Sequence, residues 1–317
     1  MPVGAGQVGF SAGGAVYVAD PNGTDVQCVF GAPAGGPLLW GPAGDRLLAG
    51  DALIPSSGSV PTLTMDMPTW SRPSGTSLVW VDDGRLYKAG SDQSVARDIS
   101  FLARHDEVTY HPAGFEIATT GEAEDGTRGI WLSDNEGGDS RLIVRANEAT
   151  PHEFTFSQEG RTAYFLADHG DHWHVHNIFL VLPEDNPTAN EFDATIESES
   201  KGPLSHLVVS PWEGLWAVRE GTCGSGSRVV MNGGLSLSSQ LAEVDAYPVG
   251  WLPDQKLVVA AFPDGCDRAA DIWLIDDVVE GSPSATLLVG DIDAAAVRVA
   301  VPDPPSALAD INLDEFA

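Results

Sequence analysis

An all-β fold, one unit repeated as a series of small sheets, is what this sequence predicts, and three observations predict it. The first is a phrase in which an apolar strand ends on a bulky side chain, turns, and returns as a second apolar strand. Its fullest copy runs from Tyr247 to Ala261 through Gly250-Trp251-Leu252-Pro253-Asp254. Five further copies are anchored on Trp40, Trp70, Tyr110, Phe156 and Val209, so successive anchors lie 30, 40, 46, 53 and 42 residues apart. A period of this size marks a repeat architecture and outranks any local assignment. The second observation is another phrase locked to the first: Val16-Tyr17-Val18-Ala19-Asp20, Leu86-Tyr87-Lys88, Ile130-Trp131-Leu132-Ser133-Asp134, Ile178-Phe179-Leu180-Val181 and Ile272-Trp273-Leu274-Ile275-Asp276. The third is local chemistry. Short β-branched and aromatic runs alternate with turn residues, 35 Gly and 22 Pro among them, and no stretch has sustained helical periodicity.

In chain order, residues 7–36 open with Gln7-Val8-Gly9-Phe10, a glycine turn, the strand Ala15–Ala19, and Pro21-Asn22-Gly23. Asn-Gly is a hairpin turn because both residues tolerate positive φ, and Asp25–Phe30 is the returning strand. Each later anchor opens a similar unit of four strands. Residues 41–68 are short and rich in Ser and Pro, so an irregular or incomplete sheet is expected there. Residues 183–203 read as a polar excursion between strands. The run Ala295-Ala296-Val297-Arg298-Val299-Ala300-Val301 is one more strand without a unit of its own, and the N-terminal unit lacks its first strand. If the last strand completes the first sheet, no open edge remains. The prediction is therefore a single β-propeller over residues 1–301, seven-bladed with six as the alternative, followed by an acidic tail over 302–317.

Charge narrows the partners. Asp and Glu total 46 against 16 Lys and Arg, a formal net charge of −30. Such a surface repels phosphate backbones, so nucleic acid is not expected as a partner, and anionic membrane surfaces are disfavoured likewise. No apolar run reaches the ~18 residues that would span a bilayer, and no basic-then-apolar leader opens the chain. Of three cysteines, Cys28 lies in an alternating strand and reads as a small core residue.

The anchors are similar to the W-S-P-D-G phrase of TolB-like propellers, which also occurs in the propeller domains of prolyl-oligopeptidase and tricorn-type peptidases. The resemblance covers most of residues 7–301, although Pro253-Asp254 lacks the glycine that usually follows. It implies that first strands line a central channel. It also implies that the loops between second and third strands share one face with the connections between blades.

Two features then fall on that face. Cys223 lies 14 residues after Val209, and Cys266 lies 15 after Trp251. Matching positions in adjacent blades bring two cysteines within reach of a disulfide. That pair implies an extracytoplasmic home, periplasmic, secreted or envelope-associated. The second feature is Asp168-His169-Gly170-Asp171-His172-Trp173-His174-Val175-His176, with half of the chain's 8 histidines. His172, His174 and His176 alternate and share a strand face, with neighbours ~6.5–7 Å apart. Neutral imidazole binds zinc, copper or nickel, and Asp168 or Asp171 could add oxygen. A third imidazole would need the loop to bend, or a ligand from elsewhere such as His152 or His206. The bland alternative is a solvated hairpin with a histidine stacked on Trp173. The acidic loop Glu122-Ala123-Glu124-Asp125-Gly126 lacks EF-hand spacing.

No nucleophile elbow is read, and no hydrolase domain follows the repeats. The expected function is a monomeric, non-enzymatic binding scaffold that meets a protein or small ligand at the propeller mouth, and zinc or another divalent metal is the cofactor the sequence suggests. One alternative is a zinc-type metal-binding protein using His169, His172, His174 and His176. Another is a metal-dependent propeller hydrolase or lactonase, which needs inward carboxylates and histidine on the first strands.

Overall fold

In a computed structural model, residues 7–300 are described, except 13, 21–24, 31–37, 42–46, 50–51, 55–68, 71–74, 91–94, 113, 147–148, 181–194, 212–213, 233–240, 242–243, 253, 267–268, 277, 279–282 and 294–298. Among the described residues the chain forms 26 strands in seven antiparallel sheets.

The first sheet holds β1 (Val8–Ala12), β2 (Ala15–Ala19) and β3 (Val26–Phe30), and the second holds β4 (Leu38–Trp40), β5 (Leu47–Ala49) and β6 (Ala52–Ile54). The third runs β7 (Thr69–Trp70), β8 (Ser77–Asp82), β9 (Arg85–Gly90), β10 (Arg97–Asp98), and the fourth β11 (Arg104–Tyr110), β12 (Glu116–Glu122), β13 (Arg128–Asp134), β14 (Arg141–Arg145). The fifth has β15 (Thr150–Phe156), β16 (Thr162–Asp168), β17 (Trp173–Phe179) and β18 (Thr195–Ser200), and the sixth β19 (Leu204–Val209), β20 (Trp216–Glu220) and β21 (Arg228–Met231). The seventh has β22 (Asp245–Trp251), β23 (Leu257–Phe262), β24 (Ala269–Asp276) and β25 (Ser284–Asp293). Finally β26 (Val299–Ala300) pairs with β1, Phe10 opposite Val299 and Gly9 opposite Ala300.

Each of the six anchors is the last residue of a strand that opens a sheet: β4, β7, β11, β15, β19 and β22. The turns after Tyr110, Phe156 and Trp251 close in the same way. His111 N donates to Glu116 O and Gly114 N back to His111 O; Ser157 with Gly160, and Leu252 with Gln255, repeat the pattern. The last turn residue needs positive φ, met by Gly114 (80°), Gly160 (70°) and Gly214 (86°). Gln255 adopts 70° in the same place, so the turn keeps its shape where the glycine is missing. The second recurrent phrase lies on β2, β9, β13, β17 and β24, each third in its sheet's order when β26 is counted in the first.

Apolar side chains on both faces of each sheet bury it against its neighbours. Val16 and Val18 of the first sheet pack on Trp40 and Leu47 of the second, and Leu48 of the second on Leu78 and Trp80 of the third. Val79 and Leu86 meet Tyr110 and Ile117; Ile130 and Leu132 meet Phe154 and Phe165; Leu166 and Val175 meet Trp216. Met231 and Val229 then meet Trp251 and Leu257, and Val258 and Phe262 of the seventh sheet pack with Val8 and Phe10 of the first.

Two expectations change. Residues 195–200 form a strand rather than an excursion: β18 is the outer edge of its sheet, and an edge tolerates the polar sequence Thr-Ile-Glu-Ser-Glu-Ser. Cys28, expected in the core, is exposed: it lies opposite Tyr17 on β3, which too is an edge strand, at the outer margin of its sheet. The expected incomplete sheet at 41–68 has three short strands, and residues 55–68 lie outside the described residues, as do the Asn22-Gly23 turn and the 302–317 tail. No helix in the described residues is long and apolar enough to cross a membrane.

Candidate functional site

The turn between β16 and β17 is tight. His169 N donates to His172 O (3.0 Å), and Gly170, at φ 89°, donates its amide to Asp168 Oδ1 (2.7 Å). This folds His169 back over the start of β17. Its ring stacks on His172 with centroids 4.7 Å apart and lies 4.6 Å from His174, while His172 and His174 are 4.7 Å apart. One nitrogen from each of His169, His172 and His174 falls within 4.8 Å of the others. The loop bend that a third imidazole requires is supplied by His169 itself.

The remaining candidates take other places. His176 continues the strand face but stacks flat on Phe165 (5.0 Å, 7°), outside that trio. Asp168 is engaged with the Gly170 amide, and Asp171 Oδ1 lies 2.6 Å from His172 Nδ1. His152 stacks on Trp173 and His206 lies tilted against Tyr247, neither within the trio.

Three buried imidazole nitrogens here have no hydrogen-bond partner: His169 Nε2, His174 Nδ1 and His176 Nδ1. Buried polar atoms are almost always paired, so three orphans within eight residues are a departure with a local cause. His174 is 7% exposed although it lies towards the rim, because the neighbouring rings cover it. Burial, then the nearby His169 and His172, lower the His174 pKa; burial, then His174 and His169, push His176 down to about 4. Burial thus favours the neutral form of His174 and His176, the form in which imidazole binds metal.

The corresponding loop of the sixth sheet carries Cys223 and that of the seventh Cys266. They form a disulfide with Cα atoms 5.9 Å apart, tying the two sheets together. Asp245 at the start of β22 steadies the first loop, accepting from the Gly224 amide (3.0 Å) and from the Ser227 amide and hydroxyl. The fifth, sixth and seventh sheets thus carry the histidine turn and the two cysteines at equivalent connections.

No protein-family profile and no curated protein matches the chain. Solved structures do. A protein assigned as TolB from Agrobacterium tumefaciens matches over 92% of this chain and 96% of its own, at 14% identity and a TM-score of 0.53. A protein assigned as a 6-phosphogluconolactonase from Bacteroides uniformis matches over 93% and 99%, at 11% identity and 0.55. An oligogalacturonate lyase in complex with manganese matches over 89% and 84%, at 13% identity and 0.53. The fold is a TolB-like β-propeller. Identities this low carry the fold and nothing of the activity.

In propeller terms the histidine trio sits at a blade's second-to-third-strand turn, while another polar group lies on the first strands, unsignalled by any sequence motif. Glu107, Glu153 and His206 each stand three residues before an anchor, Tyr110, Phe156 and Val209. All lie at irregularities in the pairing of their strand, and Glu153 and His206 have φ of 48° and 57°. Glu107 Oε2 accepts the Glu153 amide (2.6 Å) and Glu153 Oε2 the Leu207 amide (2.6 Å), so each carboxylate satisfies the irregular backbone of the next blade. Burial raises the Glu107 pKa and lowers that of His206, against the pull of the Glu153 carboxylate. Solvent reaches His206 even so. The recoverable signal was the offset from the anchor.

A cleft of about 270 Å³ opens between the fourth and fifth blades, lined by Asp106, Arg128, Thr150 and Asp168 among others. Gly9-Phe10-Ser11-Ala12-Gly13 spells G-x-S-x-G, the letters of a nucleophile elbow. Ser11 lies inside β1 opposite Val16, 3% exposed, and the chain returns as a strand, so the exposed strand-to-helix turn that activates a nucleophile is not formed there.

Proposed function

We propose that this chain is a closed, seven-bladed propeller that works outside the cytoplasm as a binding scaffold, and that His169, His172 and His174 hold a divalent metal of the zinc type on its rim. The observation carrying the metal assignment is the trio itself: one nitrogen from each ring within 4.8 Å of the others, with His169 Nε2 and His174 Nδ1 buried and unpartnered. Three imidazoles with a fourth position left to water or ligand are a recurrent zinc arrangement. Seven sheets, each packed on the next, and the β26–β1 pairing support the closed ring. The Cys223–Cys266 bridge supports an oxidising compartment. The test is competition between the chelator-treated chain and a chromophoric zinc chelator. One zinc per chain at sub-micromolar Kd is expected, and binding weaker than micromolar overturns the metal assignment.

A second reading has its own observation. Glu107, Glu153 and His206 on three successive first strands supply the carboxylates and histidine that a metal-dependent propeller hydrolase, lactonase or lyase would need. Activity on lactones and uronate oligomers, with and without manganese, tests it; turnover that disappears in Glu153→Gln and His206→Ala would favour it over the scaffold.

A further inference from the structure

We infer that Asp171 and Glu199 are the positioning carboxylates of the rim metal site, each fixing which nitrogen a ligating imidazole presents. This rests on the metal assignment above and adds the residues that orient it. His172 Nδ1 lies 2.6 Å from Asp171 Oδ1, so this nitrogen carries the proton and Nε2 is left for the metal. His174 has the opposite arrangement. Its Nδ1 is buried and unpartnered, while its Nε2 faces Glu199 Oε2 at 4.0 Å. Glu199 is no chance neighbour, because it pairs directly opposite His174 across β17 and β18.

The nitrogens offered inward are then His169 Nε2, His172 Nε2 and His174 Nδ1. The two carboxylates stand behind the rings. At 4.0 Å the Glu199 contact is longer than a hydrogen bond, and a small side-chain rotation of this exposed residue closes it. Metal at Nδ1 makes the Nε2 proton more acidic, which strengthens that bond. A carboxylate behind a ligating histidine fixes its tautomer and raises its basicity, and its loss typically costs about 10–100-fold in metal affinity. Asp171 is therefore a partner of a ligand and not the oxygen donor its place in the motif suggests. Glu199, in a strand with no metal-binding pattern, enters only through the register of the sheet.

The experiment uses the full chain, chelator-treated, with cobalt(II) and zinc(II) as probes. Wild type, Asp171→Ala, Asp171→Glu and Glu199→Ala are titrated by chelator competition across pH 6 to 8, and the visible cobalt spectrum is recorded for each. Asp171 and Glu199 are 87% and 64% exposed as side chains, so both alanine variants are expected to fold, with circular dichroism as the check. The expected result is a loss of about 10–100-fold in affinity for each alanine variant. Stoichiometry stays at one, half-saturation moves to higher pH, the cobalt band stays put, and Asp171→Glu recovers most of the loss. Unchanged affinity in both alanine variants overturns the positioning roles, and a changed cobalt spectrum overturns them in favour of direct carboxylate ligation. If the wild type itself binds no metal, the metal assignment fails first and this inference with it.

Discussion

The second-to-third-strand turns of the fourth and fifth blades occupy the same place in the same architecture, and their polar groups end differently. In the fourth blade, Thr127 N donates to Asp125 Oδ1, Ala123 and Thr127 share a backbone bond, and Arg128 Nε lies 3.3 Å from Glu122 Oε2. In the fifth, the backbone is equally well satisfied, but imidazole nitrogens are buried without partners. The difference teaches that a charged loop facing water settles its own accounts, whereas stacked rings that exclude water leave directed lone pairs. Only the second arrangement calls for something from outside the chain.

Breaking that contrast should produce its largest effect at the ligating rings. His169→Ala and His174→Ala should each lower zinc affinity by more than the roughly 100-fold ceiling typical of an outer partner. Asp125→Ala in the fourth blade should leave zinc affinity unchanged. Chelator competition on the three variants measures both arms, and equal losses would erase the distinction between the turns.

The disulfide sharpens the comparison by giving the sixth and seventh blades a staple that involves no metal. Cys223→Ser with Cys266→Ser should destabilise the fold by about 2–4 kcal/mol, since the bridge closes a long loop, without changing zinc affinity. Urea titration and chelator competition read the two effects separately. Zinc at about 100 times the wild-type Kd should stabilise the wild type by about 2.7 kcal/mol and His174→Ala by less than about 0.4 kcal/mol, as thermal melts would report.

Proton uptake extends the contrast to partnered histidines. His105 Nε2 accepts the Phe101 and Leu102 amides, its Nδ1 meets Thr119 Oγ1, and His111 Nε2 lies 3.0 Å from Gly160 O. Burial first pushes both pKa values down to about 4 from 6.5. The unfolded chain then binds more protons between these limits, so their contribution is complete above pH 6.5 and falls as pH drops towards 4. The slope is at most about 1.4 kcal/mol per pH unit for each group, readable from urea midpoints of metal-free protein at pH 7.5 and 5. Asp125→Ala should be the smallest perturbation, within about 0.5 kcal/mol as for ordinary surface changes, and a larger loss would mean the fourth-blade turn is structural.

Much of the architecture was legible because repeats write themselves into sequence. An anchor must be bulky where a first strand ends in the core, and the following turn must offer a residue that accepts positive φ. The polar strand at 195–200 escaped because an edge strand needs no apolar alternation. Cys28 misled for the same reason, since alternation does not say whether a strand lies at the margin of its sheet. At the rim, the histidine run was visible but its grouping was not. Strand spacing favours His172, His174 and His176, whereas the turn brings in His169 and leaves His176 against Phe165.

By itself, the sequence determined the repeat, the strand ends and the residue types gathered near one turn, since these follow from periodicity and from which side chains a buried strand or tight turn accepts. Only the tertiary structure decided that Glu199 stands behind His174, that Glu107 and Glu153 each satisfy an amide of the next blade, and that Cys223 meets Cys266. Those contacts join residues 25 to 54 positions apart. Their partners are chosen by sheet register and by the packing of one blade on the next, neither of which a local pattern encodes.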